Sequence, residues 1–335
     1  MTNKDIIVVG SSAGGVNALC QLCSTLPADL PAAIFITQHL SPSAKSVLPQ
    51  LLERSGPLPA VNPVDGQSFE RGHIYVAPPD HHLLVRQDRV LVRRGPYENR
   101  TRPAINPLFR SAAMAYGGRV IGVVLTGLLD DGTEGLIAIK AAGGTSVVQD
   151  PEEAAWPSMP RNALQRDHVD AVVSLAQMGD LLKDFASETA GPSIPLPEDY
   201  ATEDLIAAQE FALMETNIET PGVASQFSCP DCGGVLNSIA AGDELRFRCQ
   251  VGHAFTPLGL AEAQNGELER ALGIAIRTHK DRIKLFGQMA QSARARRLPY
   301  ATSRWEAAAD EAEHLIDVLE RAAAALRKPV VDDVA

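Results

Sequence analysis

The chain has 335 residues, of which 45% are hydrophobic and 5% aromatic, and its formal net charge is −11 at pH 7. This length allows two or three domains, and the negative charge argues against broad binding to nucleic-acid phosphates, which depends on clustered lysine and arginine. No apolar stretch approaches the roughly 18 residues of a membrane span, and the N-terminus lacks the features of a signal peptide. The sequence therefore predicts a cytoplasmic protein.

Up to about residue 187, segments typical of strands alternate with segments typical of helices. Most strand-like runs are continuously apolar, as in parallel strands that are covered on both faces. The strand-like runs are residues 6–9, 33–37, 74–77, 120–126, 145–148 and 171–174, and the helical segments are residues 16–25, 107–116, 133–142 and 175–186. This alternation predicts a doubly wound α/β domain with a mostly parallel sheet over residues 1–190. Residues 83–93, where two short strands flank Gln87-Asp88, predict an antiparallel hairpin added to that sheet.

Beyond residue 190 the composition changes. Residues 191–225 begin with a proline-rich stretch and predict a linker, with a modest helix near residues 201–216. Residues 226–257 are short and rich in cysteine and glycine, and residues 258–330 predict two helices that form an antiparallel hairpin. Ser303 and Glu306 form a capping-box pattern that predicts the start of the second helix, with Pro299 in the turn before it.

The most informative motif is the glycine-rich turn after the first strand. Residues 5–19 read DIIVVGSSAGGVNAL, which is a strand, the pattern G-x-S-x-G-G and a helix. A serine on so tight a turn lies out of the sheet beside the N–H groups of the helix start, which suits a nucleophile whose attack creates an oxyanion. The alternatives are a plain structural turn and a dinucleotide-binding turn. The latter requires a middle glycine, where this chain has Ser12, and an acidic residue after the second strand, where it has Gln38-His39.

Side chains of the kinds needed for nucleophilic catalysis follow three predicted strands. Ser12 follows the first strand, His39 the second, and Asp130-Asp131 the strand of residues 120–126. Functional groups in an open parallel sheet gather at the carboxyl ends of the strands, so a nucleophile, a base and an orienting acid would meet along one edge. Alternatively, His39 is a surface histidine and the aspartates form a turn and helix cap. Because the two acids are adjacent, the sequence leaves open which of them orients the base. A metal site at this pair is not favoured, because it has no third carboxylate nearby in sequence.

Several segments resemble the catalytic domain of the chemotaxis-receptor methylesterases, the CheB family. They are GSSAGG, ITQH, LTGLLDDGTEGL, RGHIYVAPPDHH, NRTRPAINPLFRS and PSMPRNAL, within about residues 6–175. The resemblance implies a doubly wound sheet with an antiparallel hairpin and hydrolysis of glutamyl methyl esters on receptor helices, without a cofactor for catalysis. Some relatives also deamidate glutamine. The family's nucleophile falls on Ser12, its base on His39 and its orienting acid on Asp131.

The chain departs from the family pattern beside the nucleophile and at the acid loop. Ala13 stands where the family usually has threonine, and Leu128-Leu129 stands where it commonly has Met-Gly. Because the methionine position is implicated in the family's oxyanion hole, the expected donors are the backbone N–H of Ala13 and a group near Leu128. Loss of one oxyanion donor typically costs about 10²–10³ in rate. Because the three triad residues are all present, we expect activity, with an altered substrate preference.

The resemblance also implies partners and a domain organisation. Family members often carry an N-terminal receiver domain, but the first strand here begins at Ile6, so we expect a stand-alone methylesterase. The expected partner is a methylated chemoreceptor or a similar helical signalling protein, and neither nucleic acid nor membrane insertion is expected. The alternative is a non-catalytic signalling adaptor that keeps the methylesterase fold. The sequence predicts no oligomeric state.

The five cysteines fall into two groups, and the second group predicts a metal site. Cys20 and Cys23 lie in the first predicted helix, where such a pair is typical of small buried side chains, with a redox pair as the alternative. An odd number of cysteines without an export signal argues against a disulfide framework.

The downstream group joins a C-x₂-C pair and a C-x₃-H pair, a spacing that suits a closed structural Zn²⁺. Its four ligands are Cys229, Cys232, Cys249 and His253. Residues 246–248 predict a short strand before the second pair, so residues 226–257 are expected to form a zinc-ribbon-like module. So short a segment has little core of its own, and metal would supply much of its folding energy. The alternative is a set of buried free thiols in a loop.

Overall fold

A computed structural model describes residues 2–208, 221–241 and 244–326. Its contacts divide the chain into two units, Met1–Gly259 and Leu260–Ala335. The boundaries that the sequence predicts at residues 190, 225 and 257 stay predictions. None of the helices in the described ranges combines the length and the hydropathy that a membrane crossing requires.

Nine strands precede residue 174 in the first unit. They are β1 (Ile6–Ser11), β2 (Ala33–Gln38), β3 (Ala60–Val61), β4 (Ile74–Val76), β5 (His82–Arg86), β6 (Arg89–Arg93), β7 (Val120–Val124), β8 (Thr145–Gln149) and β9 (Ala171–Val173). Seven of them form one sheet in the order β3-β4-β2-β1-β7-β8-β9, and each neighbouring pair is parallel. The order places β1 between β2 and β7, which confirms the predicted α/β class and brings the carboxyl ends of these three strands together.

Helices cover both faces of this sheet. They are α1 (Gly15–Thr25), α2 (Leu48–Ser55), α3 (Ile105–Tyr116), α4 (Thr133–Ala141), α5 (Ser158–Arg166), α6 (Leu175–Ser187) and α7 (Glu198–Ala207). Side chains of β1 alternate between two cores: Ile6 and Val8 pack with α3, whereas Ile7 and Val9 pack with α1, α2 and α6. This alternation explains why the strand is apolar throughout, since both of its faces are buried. The helix expected near residues 201–216 is α7 in part, and residues 209–216 lie outside the described residues.

The hairpin of residues 83–93 forms, but not where we expected it. Strands β5 and β6 pair with each other as a separate two-stranded sheet, so the expectation that they join the main sheet is wrong. The reason is that the apolar face of the hairpin packs on α3. The N–H of Val85 donates to Ser111 Oγ at 3.0 Å, and the N–H of Asp88 donates to Tyr116 Oη at 2.8 Å.

A four-stranded antiparallel sheet follows α7 within the first unit. Its strands, in sheet order, are β10 (Val223–Ser228), β11 (Val235–Ala241), β12 (Glu244–Cys249) and β13 (Ala254–Phe255). The predicted strand of residues 246–248 lies in β12. Ile239, Phe247 and Phe255 are buried, so the sheet has a small apolar core.

Two long helices end the described chain, α8 (Pro257–Ala295) and α9 (Pro299–Leu326). The rings of Phe286 and Trp305 stack with centroids 5.7 Å apart, and Lys280 pairs with Glu320 at 2.9 Å. The expectation that Ser303 caps α9 is wrong. The helix already begins at Pro299, whose missing N–H is tolerated in a first turn, and the Ser303 hydroxyl donates back to the Pro299 carbonyl at 3.2 Å.

Candidate active site

The three side chains that were expected to meet at the sheet edge lie in hydrogen-bond contact. Ser12 directly follows β1, His39 directly follows β2, and Asp131 lies in the loop between β7 and α4. The distance from His39 Nδ1 to Ser12 Oγ is 3.1 Å, and that from His39 Nε2 to Asp131 Oδ2 is 2.7 Å. The side chain of His39 is 14% exposed and that of Asp131 is 3% exposed. The hydroxyl, the imidazole and the carboxylate therefore form a chain that leads from the surface into the protein.

The surroundings of Asp131 fix the direction of these hydrogen bonds. Its oxygens accept the N–H of Ile105 at 2.7 Å, of Asn106 at 3.3 Å and of Gly132 at 3.1 Å. The first two belong to the N-terminus of α3, where the helix dipole favours a negative charge. A carboxylate that only accepts requires His39 Nε2 to donate, so Nδ1 is free to accept the Ser12 hydroxyl proton. In the serine-protease triad the two ring nitrogens have the opposite roles.

Asp130 does not compete for this position, because it faces other partners. One of its oxygens accepts the Thr256 hydroxyl at 2.8 Å, and the other accepts Arg166 Nη1 at 2.9 Å. Burial raises the pKa of Asp130 to about 6, although the Thr256 hydroxyl and Arg166 both act to lower it. The adjacent acids that the sequence left open therefore point in different directions.

Gln38 ties the ends of β1 and β2 together, a role that sequence reasoning missed. Its Nε2 donates to the carbonyls of Ser12 at 2.8 Å and His39 at 3.0 Å, and its Oε1 accepts the Ser11 hydroxyl at 2.7 Å. Gln38 is itself buried. Its position at the last residue of a buried strand was the available signal.

The glycines of the first turn are required by close packing. Gly14 has φ 75°, which favours glycine. A Cβ on Gly15 would lie 2.1 Å from Gln38 Oε1 and 2.7 Å from Ser11 Cβ. The G-x-S-x-G-G pattern therefore reflects contact with the Gln38 side chain as well as the geometry of the turn.

The two expected oxyanion donors lie in the turn after β1 and in the loop after β7. The N–H of Ser12 donates to the Thr126 carbonyl at 3.0 Å. Within the described ranges, neither the Ala13 N–H nor the Leu128 N–H donates to another group of the chain. Leu129, at the position where the family commonly has glycine, adopts φ 62°, a left-handed conformation that costs roughly 1–2 kcal/mol for a residue with a side chain.

A loop before α3 adds polar groups that sequence reasoning noticed only as part of a motif. Thr101 Oγ1 lies 3.4 Å from His39 Nε2, and Asn99 Nδ2 lies 3.5 Å from Asp131 Oδ1. Asn106 lies in the first turn of α3, next to this loop. Its Oδ1 accepts the N–H groups of Gly132 and Gly135, each at 3.0 Å, and so fixes the loop between β7 and α4 that carries Asp131.

The cysteines of α1 favour the structural interpretation. Cys23 is buried, and burial together with the neighbouring Cys20 raises the pKa of its thiol to about 12. A reactive thiol needs a lowered pKa.

The four candidate metal ligands downstream lie close together in the structure. Their candidate ligand atoms, from Cys229, Cys232, Cys249 and His253, all lie within 4.8 Å of one another. The Cys232 and Cys249 sulfurs are 3.7 Å apart, and His253 Nδ1 is 3.6 Å from both the Cys229 and the Cys249 sulfur. In a tetrahedral zinc site, bond lengths of about 2.3 Å to sulfur and 2.0–2.1 Å to nitrogen give edges of about 3.8 and 3.6 Å. The residues present therefore fit a four-coordinate zinc ion.

Comparison with known proteins assigns the first half of the chain. Residues 7–182 match the family model described as CheB methylesterase. A protein of Methanosarcina mazei named protein-glutamate methylesterase/protein-glutamine glutaminase 2 is 36% identical over 185 residues, which cover 53% of this chain and 50% of that protein. A protein of Leptospira interrogans is 38% identical over 180 residues, which cover 53% of this chain and 93% of that protein.

A solved structure agrees with these matches. The crystal structure of the Thermotoga maritima CheB methylesterase catalytic domain is similar with a TM-score of 0.52 and 30% sequence identity, over 55% of this chain and 99% of that chain. The family match includes β1 to β9 and the three converging side chains. The chain therefore belongs to the CheB methylesterase family.

Proposed function

We propose that this chain hydrolyses methyl esters of glutamate side chains on signalling proteins, with Ser12 as nucleophile, His39 as general base and Asp131 as orienting acid. The observation that carries the proposal is the position of the His39 imidazole, 3.1 Å from the Ser12 hydroxyl and 2.7 Å from the Asp131 carboxylate. A hydroxyl is a weak nucleophile without a base, and a base in turn needs an orienting group. The family assignment supports the same chemistry.

In the first half of the reaction, Ser12 Oγ attacks the ester carbonyl carbon while its proton moves to His39 Nδ1. The tetrahedral intermediate collapses when the carbon–oxygen bond to methoxide breaks, and the leaving oxygen takes the proton from His39 as methanol. In the second half, water attacks the acyl-enzyme and gives a proton to His39. The Ser12–acyl bond then breaks, Ser12 regains its proton, and glutamate is released. A glutamine side chain would follow the same steps with ammonia as the leaving group.

The oxyanion would form beside Ala13 and Leu128, whose N–H groups lack partners in the described chain. The Leu128 and Trp156 side chains are each 47% exposed. A Cβ on Gly14 would lie 3.1 Å from Trp156 Cδ1, so the indole lies close to the start of α1. These exposed apolar groups suit a helical protein substrate, and we propose a methylated chemoreceptor or a similar signalling helix as the partner.

We also propose that Cys229, Cys232, Cys249 and His253 hold a structural Zn²⁺, in a zinc-ribbon-like module followed by a helical hairpin. The ion would close the two turns that carry its ligands and stabilise a sheet with a small core. It supplies no chemistry to the ester.

Replacing Ser12 by alanine tests the central assignment. We expect Ser12→Ala to abolish methanol release from a methylated receptor, because the acyl-enzyme cannot form. Ser24→Ala is the matched control, since the Ser24 hydroxyl is exposed and donates to the Gln21 carbonyl within α1. Unchanged turnover in Ser12→Ala would reject the nucleophile. A wild-type chain that releases no methanol would favour the non-catalytic adaptor.

A further inference from the structure

The loop of residues 97–101, the bridging loop, contacts both the candidate triad and the sheet that carries the metal ligands. Asn99 and Arg100 both have positive φ, 49° and 60°. Such conformations persist for residues with side chains only where the surroundings fix them. The contacts on both sides of the loop are therefore what determine its shape.

On the triad side, the bridging loop reaches the imidazole and the carboxylate from outside the hydrogen-bonded chain. Thr101 Oγ1 lies 3.4 Å from His39 Nε2, and Asn99 Nδ2 lies 3.5 Å from Asp131 Oδ1. These distances are long for hydrogen bonds. They suit groups that limit the movement of a side chain rather than groups that react.

On the metal side, the bridging loop is hydrogen-bonded to two of the three residues that follow His253, Ala254 and Thr256. The N–H of Asn99 donates to the Ala254 carbonyl at 2.8 Å, and the N–H of Ala254 donates to the Tyr97 carbonyl at 3.1 Å. The N–H of Thr256 donates to Asn99 Oδ1 at 2.9 Å. The Tyr97 ring also stacks on the His253 ring, with centroids 6.4 Å apart. His253, a candidate metal ligand, is thus linked to the bridging loop by a ring contact and by the hydrogen bonds of the residues that follow it.

Thr256 contacts Asp130 directly and is linked to Asp131 through Asn99. Its hydroxyl donates to Asp130 Oδ1 at 2.8 Å and accepts the N–H of Gly259 at 2.9 Å. Its backbone N–H holds the Asn99 side chain that faces Asp131. A shift of Thr256 would therefore move the environment of both aspartates.

We propose that the Cys/His metal centre clamps the bridging loop against the triad, so that metal binding positions Asp131 and His39, with Asn99 and Thr256 as the positioning residues that transmit it. This inference rests on the proposed triad and on the proposed zinc site. The ligand is a divalent soft-to-borderline cation such as Zn²⁺. The ion itself takes no part in the reaction, but the activity depends on it because Ala254 and Thr256 lose their fixed positions without it.

Hydrogen exchange of the full chain tests the clamp without using activity. We expect one zinc per chain, and removal of Zn²⁺ by a chelator should accelerate exchange of the Asn99 N–H by about tenfold or more, as its bond to Ala254 opens. Returning Zn²⁺ alone should restore protection. Exchange in α1 serves as the control for global unfolding. Faster exchange confined to residues 229–253, with the bridging loop unchanged, would overturn the proposal, as would a purified chain that binds no zinc.

Variants of the zinc-loaded chain test the positioning residues independently. Asn99→Ala and Thr256→Val should lower kcat about 10- to 100-fold with little change in KM, because they displace catalytic groups without touching the substrate. Thr256→Ser keeps the hydroxyl and should restore most of the rate. Asn3→Ala and Thr278→Val are matched controls, since Asn3 bonds the Ser187 carbonyl and Thr278 bonds the Ile274 carbonyl on α8.

The outcomes separate this inference from the proposed function. A wild-type chain that turns over, with an inactive Ser12→Ala variant, supports the triad whatever the clamp does. Wild-type kcat in Asn99→Ala and Thr256→Val would then overturn the clamp alone. A Thr256→Ser variant as impaired as Thr256→Val would also overturn it, because the transmitting hydroxyl is intact there.

Discussion

One oxygen of Asp131 accepts from two donors, His39 Nε2 at 2.7 Å and the Ile105 N–H at 2.7 Å, and this contact is the basis of its proposed orienting role. Both donors approach Oδ2, whose two lone pairs can accept both hydrogen bonds. The consequence for His39 is the choice of tautomer, with the proton on Nε2 and the lone pair on the nitrogen that faces Ser12.

Replacing Asp131 by asparagine tests this role. The amide N–H that would face His39 favours the other tautomer, in which Nε2 accepts and Nδ1 carries the proton. A protonated Nδ1 cannot accept the Ser12 hydroxyl proton. We expect kcat for methanol release to fall by about 10³- to 10⁴-fold with the protein still folded. Asp29→Asn, on a side chain that is 80% exposed, is the control. Wild-type kcat in Asp131→Asn would contradict the assigned role.

The residues of the site were predictable to different degrees from the sequence. Ser12 and His39 follow apolar strands, so chain order alone placed them at one edge. The choice of Asp131 over Asp130 needed the family resemblance, because adjacent side chains share every sequence signal. Thr256 could not be predicted, since its bond to Asp130 joins residues 126 apart in the chain and leaves no periodic trace.

At the level of elements, the first turn packs closely against the end of β2. A Cβ on Gly15 would lie 2.1 Å from Gln38 Oε1, and Gln38 holds the carbonyls after β1 and β2. Any larger residue would displace the Gln38 side chain and so change the distance between Ser12 and His39.

Gly15→Ala should therefore destabilise the fold by about 1–3 kcal/mol and lower the turnover rate. Gly273→Ala is the matched control, since a Cβ there would meet nothing within 4 Å on α8. In a helix interior the control should be neutral or stabilising by up to about 1 kcal/mol. Urea unfolding measures both, and equal stability of the two variants would contradict the packing argument.

Most elements that the sequence predicted have a clear local pattern, which is an apolar run for the strands and a helical period for the helices. The strands next to β1 have it, whereas β3 has two residues and α2 contains Pro49 near its start. The capping pattern at Ser303 was misleading because Pro299 can begin a helix by itself. Local patterns therefore predicted the edge strand β9 as well as the central strands, and they missed β3, α2 and α5.

Across the first unit, buried charges join elements that are distant in the chain. Glu98 accepts from Arg110 on α3 at 2.8 Å and from Arg248 on β12 at 3.0 Å. Glu203 on α7 pairs with Arg246 and lies 3.4 Å from Arg248. Nothing in local sequence announces this network, because the Glu98–Arg248 pair spans 150 residues. The link that Glu98 makes between α3 and the four-stranded sheet was for this reason beyond sequence reasoning.

The charge on Glu98 should control the stability of this arrangement in a pH-dependent way. Burial alone would raise the pKa of Glu98, but Arg110 and Arg248 outweigh burial and hold it well below its ordinary value of 4.5. A carboxyl with a lowered pKa contributes stability above its unfolded-state pKa and loses that contribution as the pH falls towards its folded-state pKa. The contribution of Glu98 is therefore complete at neutral pH and declines below pH 4.5.

Glu98→Gln should accordingly lower the free energy of unfolding by about 3–5 kcal/mol at neutral pH, because two buried arginines lose their shared partner. The deficit relative to the wild type should narrow below pH 4.5, because Glu98 then gains a proton in the unfolded wild-type chain while it stays ionised in the folded one. Glu188→Gln is the matched control: Glu188 is 51% exposed and pairs with Lys4, so its loss should cost at most about 1 kcal/mol. Urea unfolding across this pH range measures both differences. A Glu98→Gln deficit that stays constant with pH would show that volume and hydrogen bonding, rather than charge, account for the stability that Glu98 contributes.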